Sequence, residues 1–272
     1  YSKLSGLFEQ VSLNGKELLA APMEVNIWRA PTDNDRKIKL EWKAAGYDRS
    51  NARAYDTTWE IRRGAAGCVN DESVIIHSTM SVAAAALQKV LDIEAEWKVQ
   101  STGEISVTMQ VKKNMEFPQL PRFGLRLFLK KEYEGLKFYG LGPHESYVDK
   151  RRSCSHGLYE STVEEQNEDY LRPQENGSHT DCDYMVLEKE AQTFMAVSPK
   201  PFAFNVSYYT QEELTEKAHN FELEKSGNTV VCLDYGQNGI GSNSCGPKLR
   251  KEYRLDQERF TFEMMFLFGK EW

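Results

Sequence analysis

The run Trp28-Arg29-Ala30-Pro31-Thr32-Asp33-Asn34-Asp35 gathers an indole, a guanidinium and two carboxylates within eight residues. Indoles offer a flat apolar face to the C–H groups of a sugar, while carboxylates and amides take its hydroxyls. That chemistry is one reading of the run. The other is a turn and a helix cap. Pro31 fixes its own φ and biases Ala30 away from helix. Asp33-Asn34-Asp35 then stands before Ile38, Trp42 and Ala45, apolar at i, i+4 and i+7, where a short polar side chain caps free N–H groups. Gly46 closes the predicted helix.

Two further clusters carry polar groups. His144-Glu145-Ser146-Tyr147-Val148-Asp149-Lys150-Arg151-Arg152 follows the tight turn Gly140-Leu141-Gly142-Pro143. It reads as a site or as a solvated loop tied by its own salt bridges. The Gly-x-Gly pair lacks the third glycine and the helix of a phosphate loop. Pro173-Gln174-Glu175-Asn176-Gly177-Ser178-His179 is a second polar turn; Glu175 and Asn176 take either sugar hydroxyls or the loop's own backbone. The histidines are His77, His144, His156, His179 and His219, with no His-x-x-x-His pair for a helical zinc site and no Gly-x-Ser-x-Gly elbow for a serine hydrolase. A glycosidase needs two facing carboxylates. With 41 acidic residues, their presence alone selects none.

The elements that must hold these clusters are strands. Asn14-Gly15 between apolar runs predicts a hairpin within 4–19. Strands are expected at 57–62 and 73–82. The stretch 91–111 alternates apolar and polar on both sides of Ser101-Thr102-Gly103, which predicts a hairpin with one wet face. Phe123, Leu125, Leu127 and Leu129 repeat the pattern. Residues 138–185, rich in Gly, Pro, His, Tyr and charge, read as long loops on a sheet, beyond a strand at 136–139. Strands return at 194–197, 202–208, 230–235 and 260–268, with a helical turn or two at 211–218 and a hairpin turn at Ser226-Gly227-Asn228. About a dozen strands at roughly ten-residue intervals imply an all-β sandwich or barrel. Without a linker or repeat, 1–272 is expected to be one domain.

The chain has 272 residues and a net charge of -7, which argues against nucleic acid and against an anionic membrane surface. No apolar run reaches the roughly 18 residues of a membrane span. The first residues lack a signal peptide's features, and Tyr at position 1 suggests a segment of something longer. Five widely spaced cysteines (Cys68, Cys154, Cys182, Cys232, Cys245) fit neither a disulfide framework nor a zinc site and favour a reducing, cytoplasmic setting.

Taken together, the motifs resemble the C-terminal domain of glycoside hydrolase family 2 β-galactosidases. The Trp28–Asp35 run carries the likeness with Trp42-Lys43-Ala44-Ala45-Gly46, Leu120-Pro121-Arg122-Phe123-Gly124, Tyr139-Gly140-Leu141-Gly142-Pro143-His144-Glu145-Ser146-Tyr147, Pro173-Gln174-Glu175-Asn176-Gly177 and Gly239-Ile240-Gly241, in order from about residue 5 onward. The resemblance implies an antiparallel β-supersandwich of the galactose mutarotase type. It implies hydrolysis of terminal β-D-galactosides by a retaining mechanism, with both catalytic glutamates on an upstream TIM barrel of the same polypeptide. This chain would then have no catalytic residue and would be inactive alone. It would wall the substrate site through Arg29, Asp33, Asn34, Asp35, Glu175, Asn176 and Cys245. No cofactor is expected in this domain, although full enzymes of the family use Mg or Na and are commonly homo-oligomers.

Two departures from the family pattern stand out. The long mobile loop that follows the Asp-Asn-Asp motif is nearly absent, since 36–41 leads straight to Trp42. Cys245, in Ser244-Cys245-Gly246-Pro247, stands where the best-known members place a stacking Trp; Trp28, Tyr139 and Tyr147 are the rings left to compensate. Two rivals remain: a mutarotase-like epimerase, using His144 or His179 with Glu175 as acid and base, and a self-standing carbohydrate-binding module.

Overall fold

Asn14 and Gly15 both adopt positive φ, 51° and 76°, the mirror-image turn that matches strand twist. They join β1 (Ser12–Leu13) to β2 (Lys16–Glu17). The computed structural model describes residues 1–63, 72–190, 192–241 and 244–269. β3 (Leu19–Asn26) leads through the Trp28–Asp35 run to α1 (Ile38–Ala44), which buries Ile38 and Trp42. Gly46, at φ 75°, ends it as predicted. The expected cap differs. Asp33, Asn34 and Asp35 lie inside a 3-10 turn, Asp33–Arg36, whose own cap is Thr32 paired with Asp35; Lys37 precedes α1 and no side chain caps it.

β4 (Asn51–Arg62), β5 (Ser73–Ala83), β6 (Leu91–Gln100) and β7 (Ile105–Lys113) form an antiparallel meander. On β6, Leu91, Ile93, Ala95 and Trp97 are buried while Glu94 and Glu96 are exposed, the single wet face that the alternation requires. β8 (Arg122–Lys130) alternates too, but it has no wet face: Arg122, Gly124 and Arg126 are buried opposite Phe123, Leu125 and Leu127. The strand expected at 136–139 is β9 (Gly135–Gly142), and the region read as long loops beyond it contains two more, β10 (Ser155–Thr162) and β11 (Ser178–Lys189). Only 143–154 and 163–177 between them are loops. β12 (Gln192–Ser207) unites the two strands expected at 194–197 and 202–208. α2 (Gln211–Glu216) is capped by Thr210, whose hydroxyl accepts from the Glu213 N–H at 3.1 Å. The Ser226 turn opens β13 (Asn228–Gln237) instead of joining two strands directly, and β14 (Arg259–Gly269) completes the order.

Among the described residues, twelve strands share one antiparallel sheet that folds over on itself. β12 is the hinge of the two layers. Its first half pairs with β14, and through β7, β6 and β5 the layer ends at β4. Its second half pairs with β13, which leads through β8 to β3. The layers meet through aromatic edges: Phe123 of β8 lies 4.9 Å from Phe260 and 6.0 Å from Phe262 of β14. One contiguous apolar core fills the space between them. The expected two-layer antiparallel sandwich is the observed architecture.

Candidate functional site

Four connections meet around the polar clusters: the Thr32–Arg36 turn, 143–154, 163–177 and the described residues 238–241 and 244–245. Arg29 is their first anchor. It is fully buried and donates from Nε and Nη2 to Asp35 at 3.2 and 2.8 Å. It also reaches the carbonyls of Asn238 and Gly239, and lies over the Trp42 ring at 5.3 Å. Asp35 in turn accepts from the N–H and hydroxyl of Thr32. One ion pair thus closes the 3-10 turn and ties it to the 238–239 backbone. Two of the expected site residues, Arg29 and Asp35, spend their hydrogen bonds inside the protein.

The second anchor is Arg122, the residue that opens β8. It donates to Asp234 of β13 at 2.5 and 3.2 Å and to Glu175 at 3.0 Å, with all three side chains buried. Burial works against the charge of Arg122, yet Asp234 and Glu175 outweigh it and hold its pKa well above the usual value. Burial likewise pushes Glu175 up, against the opposing pull of Arg122 and Arg29. The Glu175 N–H also bonds the Ala30 carbonyl at 3.0 Å, linking this loop to the first anchor. Asn176 is buried as well, and its side chain joins the Glu168 N–H to the Gln174 carbonyl.

A third knot forms on Glu145. Its carboxylate accepts from Lys150, from the hydroxyls of Tyr170 at 2.5 Å and Tyr147 at 3.2 Å, and from the Gly177 N–H at 2.9 Å. Burial alone would raise its pKa. The bonds from Lys150, Tyr170 and Gly177, with the Lys150 charge, bring it below the usual carboxylate value. Burial and the carboxylates of Glu145 and Glu175 keep the Tyr147 phenol neutral.

The rim above these knots is open. Asp33 is exposed, and its backbone N–H bonds Gln174 at 3.0 Å. Asn34 is half-buried and donates to the Ile240 carbonyl at 2.8 Å. Ser244 reaches the Asn34 side chain at 3.4 Å, and Cys245 beside it is exposed. Asp149 fixes the same connection by accepting from the N–H groups of Ile240 and Gly241. Of the three rings considered as a stacking plate, Trp28 and Tyr147 are buried; Tyr139 is exposed, packed beside His156 and Tyr184. α1 begins two residues after the turn, so no long loop intervenes.

The residues proposed as an epimerase pair are separated by their surroundings. His144 is exposed. His179 is buried, with Nδ1 at 3.0 Å from the Leu141 carbonyl and Nε2 at 2.5 Å from Gln166, and burial brings its pKa down to about 4. Neither nitrogen is left to move a substrate proton. Among the described residues, no group of three His, Cys, Asp or Glu side chains is placed to hold a metal ion.

Sequence reading missed Asp234, and named Arg122 only within a motif and Glu145 only within a polar cluster, not as anchors of this assembly. Their signal was present but ambiguous: Arg122 occupies a polar slot of an alternating strand, which normally means solvent.

A family model described as "Beta galactosidase small chain" matches residues 1–266. A β-galactosidase from Actinobacillus pleuropneumoniae is 40% identical over 268 residues, covering 98% of this chain and 26% of the relative. One from Staphylococcus xylosus is 35% identical over 269 residues, with the same coverage. The chain thus spans about a quarter of the length of the curated relatives it matches. Among solved structures, a galactose 1-epimerase from Lactobacillus acidophilus NCFM superposes with a TM-score of 0.45 at 9% identity, covering 79% of this chain and 67% of the other. With a model matched over nearly the whole chain and two β-galactosidases aligned from end to end of it, this chain belongs to the β-galactosidase small-chain family.

Proposed function

We propose that this chain is the C-terminal part of a β-galactosidase that hydrolyses terminal β-D-galactosides by a retaining mechanism. Its role is to wall and shape the substrate site, while both catalytic glutamates sit on an upstream barrel of the same polypeptide. One observation carries this reading. Among the described residues, every buried carboxylate at the loop end is already committed: Asp35 to Arg29, Asp234 and Glu175 to Arg122, and Glu145 to Lys150 and two tyrosines. A retaining glycosidase needs two carboxyl groups aimed at the sugar. Here the acids hold loops in place, and the rim of Asp33, Asn34, Ser244 and Cys245 supplies the groups that would face a galactoside.

Such a wall can control rate, because misplacing a substrate by about 1 Å can cost roughly a hundredfold. The four free cysteines among the described residues support a reducing, cytoplasmic setting; Cys68 lies outside those residues. No described helix is long and apolar enough to cross a membrane.

The test is turnover of a chromogenic β-galactoside. The purified chain alone is expected to show none, and activity should appear when the upstream segment is supplied. Robust hydrolysis by the chain alone would refute the proposal. Galactose binding that is complete without any partner would favour the carbohydrate-binding module.

A further inference from the structure

The two layers of the sandwich are unequal. Counting outward from β12, one layer runs through β14, β7, β6, β5 and β4, the other only through β13, β8 and β3. Among the described residues β3 is the last strand of the second layer; it comes close to β4, and no further strand extends that layer. The N-terminal segment covers part of the longer layer. The Leu4 carbonyl accepts from the Ala54 N–H, Phe8 packs edge-on to Trp97 at 5.0 Å, and the Tyr1 hydroxyl bonds Ser78 at 2.7 Å.

The cover stops at Tyr1. Ser78 pairs with Thr57, and the next residues along the same face are Trp59 opposite Ile76, then Ile61 opposite Val74. These belong to the core side of the sheet, because their row neighbours are core residues. Ile76 pairs with Trp97, and Val74 with Val99, which pairs with Ile105. Exposure rises steadily along that last row. Ile105 is 5% exposed, Val99 and Val74 are half-buried, and Ile61 is 54% exposed; Trp59, one row back, is 60% exposed. β4 is also a twelve-residue edge strand, the kind of surface that proteins normally cover or charge.

We infer that the polypeptide preceding Tyr1 in the full-length enzyme lies on this strip and completes the second layer over Trp59, Ile61, Val74 and Val99. The inference rests on the reading of this chain as the C-terminal part of a longer galactosidase. Two observations select that occupant over another. Tyr1 already lies over the row next to Trp59, so the incoming chain emerges beside the strip. The strip continues the chain's own core face, so the occupant must enter the same interior.

Hydroxyl-radical footprinting of the full-length polypeptide and of this chain tests the inference. In the chain alone, Trp59 should oxidise readily, unlike the fully buried Trp97 and Trp42. In the full-length protein Trp59 should fall to the level of Trp97, while Phe221, 80% exposed on another surface, stays reactive. Trp59→Glu should raise the rate of proteolytic release of this domain from the full-length protein roughly tenfold. In the chain alone it should leave the melting temperature essentially unchanged, as expected for an exposed site. Trp59 equally reactive in both proteins overturns the inference. So does a dimer of the isolated chain that Trp59→Glu dissociates while Trp59 remains reactive in the full-length protein. Hydrolysis assayed on the same samples separates the two proposals. An active full-length enzyme with a reactive Trp59 sinks only the docking surface. An inactive one with a shielded Trp59 sinks only the functional reading.

Discussion

Arg122 carries two buried carboxylates on one guanidinium, so removing it leaves both without a cation. Arg122→Met should destabilise the chain by about 3–5 kcal/mol, the usual cost of stranding a buried charge. Urea unfolding measures this. The deficit should shrink as pH is lowered, because burial already pushes Asp234 and Glu175 up and the neutral acids no longer need Arg122. A deficit that stays unchanged as pH is lowered would contradict that account. His179 gives a pH dependence of its own. Its folded pKa of about 4 lies below the ordinary 6.5, so the unfolded chain binds the extra proton in between. Stability should be intact above about pH 6.5 and fall as pH drops toward 4, by up to roughly 3 kcal/mol. His179→Gln should flatten the curve over that window. Glu145 acts lower, since its depressed pKa withdraws stability only below the ordinary carboxylate range.

At the scale of elements, the Thr32–Arg36 turn separates a buried, ion-paired member of one motif from members that reach the rim. Asp35 is buried against Arg29, whereas Asp33 and Asn34 reach the rim. Asp35→Ala should therefore lower the melting temperature sharply, by a loss of about 3–5 kcal/mol. Asn34→Ala in the proposed full-length galactosidase should cost only the Ile240 hydrogen bond, about 1 kcal/mol of stability, and change KM. Equal thermal losses for both variants would show that the turn has no outward face. The same element shows what the sequence could reveal. The helix at Ile38–Ala44 and its Gly46 stop were legible, because periodicity and a left-handed glycine are local signals. So were β5 to β7, where one face is wet. β8 was legible as a strand but not as a doubly buried one. Arg122 and Arg126 look like solvent positions until their partners Asp234, Glu175, Glu24 and Glu212 arrive from elsewhere in the chain. β10 and β11 hid among glycine, tyrosine and histidine for the same reason, while β9 showed only its middle, 136–139. Their apolar partners lie across the sheet, and an exposed edge strand such as β10 has little alternation to show. Which way a site residue points is likewise long-range information. Arg29 and Glu175 were identifiable as clustered polar groups, but only the fold turns them inward.

For the whole molecule, β12 makes the two layers one object. It is hydrogen-bonded to β11, β13 and β14, so separating the layers means breaking a continuous strand's ladders on both halves. The apolar core does not divide either: Phe194 packs on Phe266, Phe266 on Trp97, and Phe123 on Phe260, all within one cluster. A chain of 272 residues is long enough that partly folded states are common. Despite that, the shared strand and undivided core predict a single cooperative transition. Far-ultraviolet circular dichroism reports the strands, and near-ultraviolet circular dichroism reports Trp97 and the packed phenylalanines. The two curves should coincide in urea and share one midpoint. A near-ultraviolet signal lost well before the strands would mean that the β3–β8–β13 layer peels away on its own. The two faces of the sandwich would then be separate folding units despite the strand that joins them.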